Sequence, residues 1–137
     1  SSPAELGRIR LAAMRTFLAD FEGSRGTGRY IAAALPCLPF ADGAFELALS
    51  SHLLFLYSEQ LSAAFHLQAL REMLRVAGEV RVFPLLTLAG QPSPHLQTVV
   101  EQLAASGFRV EIRSVPYEFQ RGGNKMLIVG NPVGGGC

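Results

Sequence analysis

The sequence predicts an α/β fold: a mostly parallel sheet with helices on its faces, closed by an antiparallel C-terminal hairpin. Three observations predict it. Three stretches carry apolar residues at helical spacing, and short apolar runs suited to strands lie between and after them. The last two such runs are joined by a short glycine-containing turn at 120–124. Helical crossovers join parallel strands, whereas a short turn joins only antiparallel ones.

The elements follow in chain order. Ser2-Pro3-Ala4-Glu5 reads as a helix start, with Ser2 as cap, Pro3 at the first helical position and Glu5 closing a capping box. Leu6, Ile9, Ala13, Phe17 and Phe21 recur at helical spacing, and Gly23 is the expected stop. The glycine-rich 23–28 segment is a connection. A short strand is expected at 29–35, ended by Pro36 and Pro39. The turn at 41–44 leads into a strand at 45–50 that reads as buried on both faces.

A helix is expected over 58–76, with Phe65, Ala69, Leu70, Met73 and Leu74 on its inner stripe and Gly78 ending it. A strand at 79–86 follows. Ser93-Pro94 opens a third helix, Leu96, Val99, Val100, Leu103 and Ala104 face inward, and Gly107 stops it. Phe108, Val110 and Ile112 alternate with Arg109, Glu111 and Arg113, the period of a strand with one wet face. The last strand is expected at 125–129. It should lie antiparallel between the strands at 79–86 and 108–115.

With 137 residues the chain reads as one domain: a helix and glycine-rich connection over 1–28, a sheet core over 29–130 and a flexible tail over 131–137. Twelve Lys and Arg balance eleven Asp and Glu, so no basic excess marks a nucleic-acid binder or an electrostatic membrane anchor. The apolar run at 45–57 contains Glu46, Ser50, Ser51 and His52 and is too short to span a bilayer. Two cysteines, Cys37 and Cys137, suggest neither a disulfide framework nor a metal centre, and a cytoplasmic setting is the expectation.

The segment Leu38-Pro39-Phe40-Ala41-Asp42-Gly43-Ala44-Phe45-Glu46-Leu47-Ala48-Leu49-Ser50-Ser51-His52 resembles the "LPF-x-D-x-x-F-D-x-V" stretch of class I S-adenosylmethionine-dependent methyltransferases. In that family it carries the chain into the fourth strand. Glu72-Met73-Leu74-Arg75-Val76 resembles the family's "E-x-x-R-V" helix end before the fifth strand. The C-terminal hairpin is similar to the family's antiparallel seventh strand, which slots beside the fifth. The resemblance implies a Rossmann-like methyltransferase fold, S-adenosylmethionine as cofactor and methyl transfer to an unidentified acceptor, most simply a small molecule.

Two departures qualify it. The family's acidic-glycine loop after the first strand, and the carboxylate that binds the ribose hydroxyls, have no counterpart here. Gly23 to Gly28 follows a helical pattern rather than a strand and does not read as that loop. The resemblance therefore covers the C-terminal part of the fold. The family's acidic position four residues before Leu38 is Ala34, so the adenine wall implied consists of Ala34, Leu35, Leu38 and Phe40, with Ser50, Ser51 and His52 beyond the fourth strand. An inactive fragment or a non-catalytic interaction domain is the competing expectation.

His52 is the candidate catalytic group, as a base or a substrate-orienting residue, against the plainer reading of a hydrogen-bonded structural histidine. Ser50 and Ser51 lend backbone groups rather than act as nucleophiles. Tyr57, Phe83, Gln120, Arg121 and Asn124 are candidate substrate contacts, against the alternatives of core cover, a strand end and a solvated turn. His66 and His95 read as surface or capping residues, and Arg71, Arg75 and Arg81 as surface charge. Without the family's neighbouring first strand, the strand at 45–50 presents an open apolar edge, which predicts either self-association through that edge or cover by residues outside this sequence.

Overall fold

The computed structural model describes residues 2–118 and 120–132. The expected flexible tail lies outside the described residues from Val133 onward. The chain divides into two compact units, Ser1–Ala33 and Ala34–Cys137.

The first unit is a helix with a folded-back turn. Helix α1 spans Pro3–Ser24, and the Ser2 side chain accepts a hydrogen bond from the Glu5 amide at 3.1 Å. The helix runs through Gly23. The first left-handed residue is Gly26, at φ 81°, and there the chain turns. Arg29 and Tyr30 do not enter a strand, because their side chains return to the helix. Arg29 pairs with Asp20 at 2.7 Å, the Tyr30 hydroxyl donates to the same carboxylate, and the Tyr30 ring packs edge-on to Phe17 and Phe21. The expected strand at 29–35 is thus absent, and the segment contributes one isolated bridge between Ala34 and Cys37. No α1 residue is buried, and Leu6, Ile9, Met14 and Phe17 are exposed.

The second unit holds the sheet. Strand β1 is Phe45–Ser51, helix α2 Ala63–Val76, strand β2 Ala77–Phe83, helix α3 Leu96–Ala105, strand β3 Arg109–Ser114 and strand β4 Lys125–Gly130. The order is β1-β2-β4-β3. β4 is antiparallel to both neighbours, with Val80 opposite Val129 and Val129 opposite Val110, while β1 and β2 run parallel. The insertion of the last strand between β2 and β3 is as the sequence predicts. It also corrects the expectation of a mostly parallel sheet: with β4 in the middle, one ladder is parallel and two are antiparallel.

Local chemistry sets the boundaries. α2 begins at Ala63 rather than 58, because Ser62 is the cap, accepting from the Phe65 amide at 3.0 Å. Ser58 spends its hydroxyl on the Phe55 carbonyl instead. Gly78 does not stop α2. Helix passes directly into strand at Val76 and Ala77, and Gly78 lies inside β2, where an added Cβ would stand 3.6 Å from the Glu46 carbonyl of β1. Pro84, which has no N–H to give a ladder, follows the end of β2.

α3 ends as expected. Gly107 adopts φ 97°, its amide bonds the Ala104 carbonyl, and the Phe108 amide bonds Leu103, a Schellman arrangement. The core lies between α2, α3 and one sheet face, and includes Leu70, Leu74, Val80, Val82, Val99, Leu103, Leu127 and Val129. Each such side chain contributes about 1.5–3 kcal/mol on burial. β1 is not buried on both faces. As an edge strand it leaves Phe45, Leu47 and Leu49 exposed, Leu49 by 68%. Among the described residues no helix is long and apolar enough to cross a membrane.

Candidate functional site

The site is assembled along β1 by the two sequence segments singled out above, which meet where β1 and β2 begin. Glu72 and Arg75 sit one turn apart at the end of α2. The Glu72 carboxylate accepts the Leu38 amide at 2.7 Å and pairs with Arg75 at 2.8 Å. Arg75 also donates to the Leu38 carbonyl at 3.2 Å and reaches Asp42 at 2.6 Å. The Gly43 amide completes the junction by donating to the Arg75 carbonyl. Arg75 is therefore not ordinary surface charge. It ties the 38–43 segment to the last turn of α2, and Glu72 does the same from its other side.

The electrostatics follow from these bonds. The Arg75 guanidinium, and then the Leu38 amide, hold the Glu72 carboxyl down at about 2. The Arg75 guanidinium is pushed upward, chiefly by Glu72 and then by Asp42.

Along the free edge of β1 lies a cleft of about 490 Å³, walled by Leu35, Leu38 and Phe40 on one side and by the strand on the other. Of the seven residues expected at a cofactor wall, Leu35, Leu38, Phe40, Ser50 and Ser51 line it. Ala34 is exposed, its carbonyl accepting from the Cys37 amide, and His52 stands beyond the strand. The lining is apolar apart from the two serines, and no acidic residue contributes to it.

A second hollow of about 300 Å³ borders the other side of the same strand end. It is lined by Leu49, Ser50 and Ser51 together with Arg81, Phe83, Tyr117 and Met126. Ser50 and Ser51 thus face both spaces.

His52 follows immediately. Its amide donates to the Phe83 carbonyl at 2.9 Å, its ring lies edge-on to Phe83, and the Ser51 hydroxyl meets its Nδ1 at 2.5 Å. His52 and Phe55 both hold positive φ, 61° and 69°. Such conformations cost on the order of 1–3 kcal/mol each and recur at binding sites. The register places Ser51, Phe83 and the Asn124–Lys125 end of β4 at one end of the sheet.

The remaining substrate candidates divide. Phe83 lines the second hollow and stacks at a tilt against Tyr117, with ring centres 5.8 Å apart. Tyr57 is exposed on the loop above, and Arg121 is exposed in the β3–β4 turn. Gln120 is tethered to the Thr87 carbonyl at 3.1 Å, and the Asn124 carbonyl accepts the Val115 amide. Neither hollow includes Tyr57, Gln120, Arg121 or Asn124. Phe119 lies outside the described residues.

Two histidines depart from the sequence expectation. His66 is fully buried, accepting the Phe55 amide at Nε2 and bonding the Ser62 carbonyl through Nδ1. His95 occupies the cap position of α3 but makes no cap bond, and its Nε2 meets the Ser58 carbonyl at 2.9 Å. The sequence signal for His66 was its place one turn before Leu70 on the inner stripe of α2.

A comparison with known proteins finds uncharacterized protein MJ0045 of Methanocaldococcus jannaschii, 34% identical over 125 residues. The match covers 91% of this chain and 53% of the relative, so the chain spans about half the length of the protein it matches. No family model matches the chain, and no solved structure matches it.

Proposed function

We propose that the chain forms the C-terminal part of a Rossmann-like, S-adenosylmethionine-dependent methyltransferase acting on an unidentified acceptor, most simply a small molecule. The observation that carries the reading is the Glu72–Arg75 clasp on Leu38 and Asp42. It joins the two segments that carry the resemblance and suspends Leu38 and Phe40 over the cleft beside β1. The antiparallel β4 between β2 and β3 supports the same reading.

The cleft fits one end of the cofactor better than the other. Leu35, Leu38 and Phe40 offer an apolar wall for an adenine ring, and Ser50 and Ser51 offer polar groups at the strand end. No carboxylate lines it to receive ribose hydroxyls. When bound, the cofactor supplies an electrophilic methyl sulfonium. The chain's contribution is to hold the adenine end and place the acceptor in line, so proximity dominates and no side-chain nucleophile is needed. On this reading His52, beside Phe83 at the strand end, would orient an acceptor or take its proton.

The test is an amide chemical-shift titration of the chain with millimolar S-adenosylmethionine and, separately, S-adenosylhomocysteine. Weak binding is expected, with shifts at Leu35, Leu38 and 50–52. If millimolar cofactor perturbs none of them, the reading fails.

A second reading is favoured by the exposed Phe45, Leu47 and Leu49 on the free edge of β1: an interaction domain that associates with itself through that edge. Sedimentation at rising concentration separates the two. A monomer throughout removes the second.

A further inference from the structure

His66 plays no part in the site described above, yet it is the most deeply enclosed titratable group in the α2 region, with no exposed surface. Its two ring nitrogens have fixed and opposite duties. Nε2 must accept, because its partner at 2.7 Å is the Phe55 amide. Nδ1 must donate, because its partner at 2.7 Å is the Ser62 carbonyl. Only the neutral ring protonated at Nδ1 meets both conditions.

The acceptor duty is structural. Phe55 is held at φ 69° although it is bulky and non-glycine, a conformation that persists only where its surroundings enforce it. The enforcement comes from His66 at the Phe55 amide and from the Ser58 hydroxyl at the Phe55 carbonyl, 2.6 Å away. Ser58 is in turn bonded to the Ser93 hydroxyl, and its carbonyl receives His95. The loop over 52–62, which carries His52 and Tyr57, is thus tied to α2 at its middle by one imidazole nitrogen, while Ser93, His95 and the Leu88 amide at the Leu56 carbonyl hold it elsewhere.

We propose that His66 is an acid-sensitive latch: a proton on Nε2 replaces the acceptor with a second donor, and the loop over 52–62 lets go of α2. The groups facing His66 offer that proton no counter-charge. From the loop come the Phe55 amide and ring and the Ser62 carbonyl, from α2 the Phe65 ring, and ahead of α3 the His95 ring, 5.2 Å away. Burial first, and then the positive charge of His95 when it is present, hold His66 below its ordinary value, against the Ser62 carbonyl, which favours the proton. The native state therefore binds this proton less readily than the unfolded chain. The latch is fully closed above about pH 6.5 and weakens as pH falls through the lowered midpoint. The inference stands on the loop's own hydrogen bonds and is independent of the methyl-transfer reading.

The experiment is hydrogen exchange of the chain across about pH 7.5 to about pH 5, with ring nitrogen shifts of His66 recorded on the same samples. Protection at Phe55, corrected for intrinsic exchange, should fall by up to about tenfold per pH unit below about pH 6.5, where the released imidazole takes up a proton that the closed one does not, while Leu127 and Val129 keep theirs. His66→Gln, which retains an acceptor that does not titrate, should flatten the Phe55 profile. A wild-type Phe55 profile that is level across this range, or ring shifts that show His66 charged while the Phe55 amide stays protected, overturns the latch. So does a folded His66→Gln protein with the wild-type slope. Should that variant fail to fold, the wild-type titration decides alone.

Discussion

The two sides of β2 differ sharply. Toward β4, α2 and α3 it meets a closed core in which Val80, Val82, Leu127 and Val129 have no exposed surface. Toward β1 it meets a strand just as apolar in sequence, Phe45-Glu46-Leu47-Ala48-Leu49, whose large side chains stay in solvent. Composition alone does not bury a strand. Burial needs a neighbour on each side and a layer on each face, and β1 has one neighbour and partial cover.

That contrast can be broken by mutation. Leu70→Ala, in the closed region, should cost about 2–5 kcal/mol in denaturant unfolding, because it leaves a cavity in a packed layer. A cost below about 1 kcal/mol would mean that the region is looser than its burial implies.

The clasp between the two regions should respond to acid. Glu72 is held at about 2, against 4.5 in an unconstrained chain, so its stabilising contribution is complete above about pH 4.5 and is lost as pH falls toward about 2. Urea midpoints measured over that window should drop more steeply for the wild type than for Glu72→Gln. Parallel slopes would show that the carboxylate does not hold the 38–43 segment. Ser62→Ala should cost about 1 kcal/mol by removing the α2 cap, with the thermal midpoint as readout.

The smallest effect on folding belongs to the edge. Leu49→Lys should alter unfolding free energy by about 0.5 kcal/mol or less, since the side chain is already in water. If β1 mediates self-association, the same change should abolish it in sedimentation, because a charged side chain blunts an open edge.

The sequence made much of the second unit legible. Periodicity marked α2, α3 and β3, glycine chemistry marked the end of α3 at Gly107, and the short turn at 120–124 paired β3 with β4. What stayed hidden was non-local. Tyr30 looks like strand sequence but is claimed by Asp20, ten residues earlier, and no local pattern reveals that bond. Arg75 looks like a solvated helix residue until Leu38 and Asp42, more than thirty residues away, are brought to it.

At the site, the apolar wall residues were readable because their spacing follows the segment they resemble. The tether of Gln120 to Thr87 and the bond of the Phe55 amide to His66 depend on loops whose paths periodicity does not specify.

The direct passage from Val76 to Ala77 gives the molecule a reading frame of its own. Most helices hand over to strands through a loop that absorbs small errors of length. Here there is no slack. A single residue inserted after Val76 must either turn α2 by about 100°, carrying Glu72 and Arg75 away from Leu38, or shift β2 by one residue and invert its faces. The first outcome unfastens the cleft and the second exchanges Val80 and Val82 for Glu79 and Arg81 in the core. Length at this junction is therefore under tighter constraint than residue identity, the reverse of the turn at 120–124, whose exposed Arg121 and Gly122 mark a place where added residues can loop out into solvent.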